Sequence, residues 1–147
     1  MAITKEEVAE AVRAWCAAFH TRDIQTLLPM EAQAAGFGFR AVAWRAARGE
    51  GGLLQRLEQF FGQMDSYRLE LEDLQTAVTG DIGLAWGVYI EEFQEKGRPL
   101  ERARVRFSKV LTKGARGWQV LYYHRDIQPF NEDGSYPRAL TVVSPAT

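Results

Sequence analysis

Apolar residues recur every three or four positions at the start of the chain: Val8, Val12, Trp15 and Phe19, with Ala11 and Ala18 beside them. That period gathers them on one stripe of a helix. Thr4 and Glu7 have capping-box spacing, and Ile3 and Val8 are placed for a hydrophobic staple, so a first helix is predicted over residues 4–20. Asp23 is positioned to cap a short second helix through Leu28, which Pro29 ends. Gly36-Phe37-Gly38-Phe39 alternates small and aromatic residues and suits a strand with a close backbone approach. Residues 41–48 either continue it or form a loop. Gly51-Gly52 opens a third helix, with Leu53, Leu54, Leu57, Phe60 and Phe61 on one stripe and Gly62 at its close.

From Tyr67 the period changes to two. Tyr67, Leu69 and Leu71 alternate, then Leu74, Thr76 and Val78 alternate in the opposite phase, so the slip at Glu72-Asp73 predicts a β-bulge. Turns at 79–81, 96–99 and 113–117 separate strands over 82–95, 100–112 and 118–128. Helices followed by a meander of long strands define an α+β domain with helices on one face of an antiparallel sheet. The whole chain, 1–147, reads as one domain, with residues 131–147 as a C-terminal tail or arm.

The composition is that of an ordinary globular protein, 46% hydrophobic and 25% charged, and the net charge of −1 excludes an overall basic surface for nucleic acid. A single cysteine, Cys16, excludes an internal disulfide framework. The acidic N-terminus and the lack of a long apolar run argue against a signal peptide or a membrane span, so a cytoplasmic protein is expected. Near-neutrality conceals a segregation. Residues 58–95 hold nine acids and one base, whereas 98–125 hold eight bases and one acid.

These two segments are consecutive in the meander and must lie side by side. A two-residue loop at Gly97-Arg98 pairs Phe93 with Arg102, Glu91 with Arg104 and Tyr89 with Arg106, making one face an Arg–Glu–Tyr ladder and the other apolar. The ladder is either a solvated face with weak ion pairs or the lining of a polar cavity. Fourteen of the eighteen basic residues are Arg, which suits bidentate carboxylate recognition.

His20 and His124 are the only histidines, so no metal-ligand spacing exists and neither metal nor cofactor is expected. His124 and Asp126 alternate on one face, as a general acid/base dyad requires, and are the catalytic candidates; the alternative is a structural histidine near a strand end. His20 ends the first helix, where it meets the helix dipole. No nucleophile motif or phosphate loop is present.

Trp118-Gln119-Val120-Leu121-Tyr122-Tyr123-His124-Arg125, followed by Pro129, resembles the closing strand of the NTF2-like superfamily. Its pattern is most similar to that of the calcium/calmodulin-dependent kinase association domain, and SnoaL-like proteins share a Gly-Trp…His ending. The resemblance runs in order over residues 4–130 and implies a cone-shaped barrel, three N-terminal helices on a strongly bent antiparallel sheet. It implies that Arg125 points into the pocket to bind a carboxylate ligand, helped by Arg106 or Arg104 on the preceding strand. The family's Ser is replaced by Asp126, a carboxylate placed to neutralise Arg125. Ketosteroid isomerase shares the fold and places a carboxylate base after its second helix. Here that segment reads Met30-Glu31-Ala32-Gln33-Ala34-Ala35-Gly36, with Glu31 its only acid, so the isomerase constellation is not reproduced.

The ligand-binding candidates are Trp15 and Phe19 on the first helix with Tyr89, Glu91, Arg104, Arg106, His124 and Arg125 on the sheet. Strand alternation keeps His124 and Arg125 from sharing one cavity unless the strand breaks near its end, and such a break is expected. Two function classes follow. One is a small-molecule pocket protein for an organic acid or a polyketide- or steroid-like compound, with or without proton-transfer chemistry of the isomerase, dehydratase or cyclase kind. The other is a non-catalytic dimerisation or assembly module. The last strand is apolar on both phases, and one helical layer covers only one, so a homodimer through the sheet is expected.

Overall fold

A computed structural model describes residues 2–31, 34–37, 43–45 and 49–129. The capping box forms as expected: the Thr4 hydroxyl accepts from the Glu7 N–H at 3.1 Å and the Glu7 carboxylate accepts from the Thr4 N–H at 2.8 Å. Helix α1 (Lys5–His20) buries Val8, Ala11, Val12, Trp15, Cys16 and Ala18. Asp23 caps α2 (Ile24–Glu31) by accepting from the Thr26 N–H at 3.2 Å and its hydroxyl at 2.7 Å. Pro29 lies inside α2 rather than ending it. Its missing N–H removes one helical bond, the one to the carbonyl of exposed Gln25, while burial of Leu27, Met30 and Glu31 holds the last turn.

After two short strands, β1 (Ala35–Phe37) and β2 (Ala43–Arg45), helix α3 (Gly49–Gly62) begins two residues earlier than expected. Four long strands follow: β3 (Met64–Thr79), β4 (Ile82–Glu95), β5 (Glu101–Gly114) and β6 (Gly117–Pro129). The sheet order is β2-β1-β6-β5-β4-β3, antiparallel throughout except that β1 runs parallel to β6. The sheet is open and is not closed into the expected barrel. Helix α1 packs on β3 and β4, α2 on β6, and α3 on α2 and β3, so all three helices cover one face. No described helix is long and apolar enough to cross a membrane. The C-terminal arm and residues 38–42 of the glycine-aromatic strand lie outside the described residues.

The predicted bulge occurs between Leu71 and Asp73. Gly87 sits opposite it, where a Cβ would overlap the Asp73 carbonyl, so only glycine admits the displaced backbone. Gly83 likewise lets α1 settle, since a Cβ would stand 2.6 Å from the Val8 Cγ2.

Two register findings decide which side chains enter the core. In the β4–β5 hairpin the Arg98 N–H bonds back to the Glu95 carbonyl at 3.0 Å, with Gly97 at φ +75°. This longer turn shifts pairing by one residue, giving Phe93 with Glu101, Tyr89 with Val105 and Ile90 with Arg104. A one-residue shift exchanges faces. The expected pairs Glu91–Arg104 and Tyr89–Arg106 are therefore absent, and Tyr89 and Glu91 share the inner face with Ala103, Val105 and Phe107. The second finding is an extra residue in β6, Leu121, between the Val110–Tyr122 and Leu111–Val120 pairs. It reverses the phase of the strand, so Val120 and Tyr123 are both buried.

Candidate functional site

Strand parity and helix cover together create a buried interior, where an unpaired polar group costs several kcal/mol on the order of 2–7. The inner face nonetheless holds a connected polar string. Tyr67 donates to Glu91 Oε2 at 2.7 Å, and Arg125 Nη1 donates to the same oxygen at 3.4 Å. Arg125 Nη1 also donates to the Tyr89 hydroxyl at 3.1 Å, and the Tyr89 and Tyr123 hydroxyls stand 2.9 Å apart. Glu91 is only 3% exposed, and its charge is balanced by Arg125. Burial opposes the Arg125 charge, but Tyr89, Tyr123 and Glu91 outweigh it and hold the guanidinium protonated. Burial, reinforced by Glu91, pushes the Tyr67 hydroxyl well above its ordinary range; burial and Tyr123 do so for Tyr89. Burial also pushes Tyr123 up to about 12, so all three remain hydroxyls at neutral pH.

A second group lies beside the string. Lys109 is 1% exposed, and its Nζ stands 3.4 Å from the centroid of the Trp15 ring and 3.8 Å from that of Tyr123. Among the described residues it has no hydrogen-bond partner. Burial lowers its pKa from 10.5 to about 8, against the attraction of Glu31. Glu31, also buried, accepts from the Trp15 indole N–H. Cys16 is a buried free thiol whose pKa burial raises to about 11. Trp15 packs on Phe19 at 4.5 Å between centroids and faces Tyr89 and Tyr123 at 6.1 and 5.8 Å, forming an aromatic roof over the string.

The structure thus brings together Trp15, Phe19, Tyr89, Glu91 and Arg125 of the expected set. It separates the other three. Arg104 pairs with Glu72 at 3.2 Å and Arg106 with Asp126 at 2.8 Å, both on the outer face, because of the shifted hairpin register. Asp126 consequently neutralises Arg106 and not Arg125. His124 is exposed on the outer face opposite Ser108, because no break occurs near the end of β6; the phase change lies earlier, at Leu121. The His124–Asp126 candidates therefore lie outside the enclosed interior. The Arg–acid ladder is the outer surface, continued by Arg102 with Glu92 at 3.8 Å. His20 ties α1 to the sheet by accepting from the Leu69 N–H at 3.1 Å. No metal-holding cluster is present among the described residues.

Tyr67, Lys109, Tyr123 and Glu31 were missed as site residues. For Lys109 a signal existed: Ala103, Val105, Phe107, Lys109 and Leu111 form one alternating series, and a lysine interrupts its buried parity. Tyr123 was hidden by the Leu121 bulge.

The arrangement of three N-terminal helices on one face of a bent meander is the NTF2-like fold. An NTF2-like superfamily protein from Salmonella enterica superposes with a TM-score of 0.71 at 14% identity, covering 95% of this chain and 96% of that one. A ketosteroid isomerase-like protein from Erwinia carotovora atroseptica gives 0.65 at 18% identity, covering 84% and 95%. The CaMKII hub from S. rosetta gives 0.64 at 17% identity, covering 86% and 98%. Residues 8–127 match the SnoaL-like domain, and the chain belongs to that family. No curated protein sequence matches it.

Proposed function

We propose that the protein binds a small organic molecule against the inner face of the sheet, an organic acid or a polyketide- or steroid-like compound with a carbonyl or carboxylate end. The observation that carries this reading is the Arg125–Tyr89–Tyr123 relay. The Tyr89 oxygen accepts from Arg125, and in the Tyr89–Tyr123 pair, where either hydroxyl is a competent donor, Tyr89 is taken as the donor to Tyr123. The Tyr123 proton is then directed to a further acceptor, strengthened by the two bonds behind it. The aromatic roof of Trp15 and Phe19 suits an apolar body. Among the described residues, Lys109 and Arg125 stand against the carboxyl groups of Glu31 and Glu91, a balance that favours a neutral carbonyl or a weak acid over a multiply charged ligand. Glu31 supplies a carboxylate base in the same interior, so proton transfer is the chemistry the residues support.

Calorimetric titration with aromatic carboxylates and ketones tests this. Tyr123→Phe is expected to weaken binding about five-fold, the loss of one hydrogen bond. Unchanged affinity overturns the assigned role of Tyr123.

The assembly reading is supported by one observation, and it complements the first. On the outer face Trp86 is 45% exposed and Tyr122 39% exposed, the latter in a row with Leu84 and Val110. We propose that a second copy covers this face. Light scattering showing a monomer at high micromolar concentration contradicts it.

A further inference from the structure

Among the described residues, Lys109 is the one charge on the inner face of the sheet that the hydrogen-bonded string does not absorb. Its position on β5, between Phe107 and Leu111 on the buried parity, is one that an aliphatic residue would fill at lower cost. A desolvated cation over an aromatic ring recovers part of the hydration it has lost. Removing an ammonium from water is costly even after relaxation, and here burial lowers its pKa to about 8. The two rings therefore do not repay the burial, and no described group donates to or accepts from Nζ. Packing gives no reason for a lysine here.

We propose that Lys109 is a carbonyl-capturing amine: an aldehyde or ketone bound on the inner face forms an imine with its Nζ. Such chemistry rests on the inner face being the small-molecule site proposed above, and it narrows the ligand to a carbonyl compound with an aromatic or apolar body. The surroundings meet the requirements of the step. Desolvation enlarges the neutral-amine fraction, which reaches about half at pH 8, as imine-forming lysines need. Among the described residues no ion pair within bonding distance holds Nζ, and its flexible stem lets it swing off the Trp15 and Tyr123 rings. The Nζ lone pair attacks the carbonyl carbon, and the carbonyl oxygen takes a proton to give a carbinolamine. The C–O bond then breaks as the C=N bond forms; both amine hydrogens end on the departing oxygen, which leaves as water. Tyr123, held as a hydroxyl, is the proton donor to that oxygen, and Glu31 is the base that takes the nitrogen's proton.

The test uses the full chain with naphthaldehyde and cyanoborohydride at pH 8, followed by peptide mapping. Lys5, Lys96 and Lys113 are the internal comparison. Expected is reductive alkylation of Lys109 at least about ten-fold faster than of those three, following its larger neutral fraction. Lys109→Met, checked for folding by circular dichroism, should lose the fast adduct. Alkylation of the other lysines with Lys109 unmodified overturns the inference. Naphthoate, which cannot form an imine, is titrated in parallel by calorimetry. If naphthoate binds while Lys109 stays unmodified, the imine fails and the binding site stands; if neither occurs, both fail.

Discussion

Lys109 Nζ stands 3.4 Å from the centre of the Trp15 ring, a cation held against an indole in a place that water does not reach. Desolvation is nevertheless the larger effect, since the ammonium's pKa falls to about 8. Stability then depends on pH in a defined direction. Below pH 8 folded and unfolded chains both hold the proton. Between 8 and about 10.4 only the unfolded chain holds it, so the contribution of Lys109 to stability rises with pH through that window. Cys16, with its pKa raised to about 11, opposes this trend from its unfolded value near 8.5 upward, and the tyrosines do so from about 10. Lys109→Met should therefore stabilise the protein by about 1–3 kcal/mol at pH 7, with the gain shrinking as pH approaches 9. Urea denaturation of both proteins at pH 7 and 9 measures it. A loss of stability in the variant means that the cation–ring contacts outweigh desolvation.

The two Arg–carboxylate pairs that sequence parity confused should behave in opposite ways. Arg125→Met strands the buried Glu91 and should cost about 3–5 kcal/mol. Arg104→Ala opens a half-exposed pair with Glu72 and should stay within about 0.5 kcal/mol. Chemical denaturation of the two variants checks this, and equal costs would place Arg104 in the interior.

Gly87→Ala puts a methyl group on the Asp73 carbonyl, where backbone and not a flexible side chain must yield. About 1–3 kcal/mol of destabilisation is expected, the usual cost of overpacking. A neutral change in thermal midpoint would mean that the bulge relaxes freely.

Most of the fold was legible because its signals are local. The Thr4–Glu7 box, the stripe from Val8 to Phe19, the phase slip at Glu72-Asp73 and the turn at Gly80 each involve neighbours in sequence, and the structure shows all of them. What was not legible depends on one-residue differences. The turn closed by Glu95 and Arg98, and the extra Leu121, each move whole strands between core and solvent. The first sent Arg104 and Arg106 outward; the second left Arg125 inside and His124 outside. Arg125 was legible through the closing-strand motif, whereas Tyr89 was chosen through a pairing with Arg106 that the structure replaces by Val105. Lys109 was legible in principle from the alternation of β5, but the charge ladder drew attention to the opposite parity.

Whether a ligand enters the interior or lodges on the outer face is read most directly from the indole N–H resonances. Trp15 bonds to Glu31 beneath the helices, whereas Trp86 lies open on the other side of the sheet. On titration with naphthoate the Trp15 indole resonance should shift in a saturable way while that of Trp86 stays in place. A saturable shift of Trp86 with Trp15 unmoved would contradict an interior binding site.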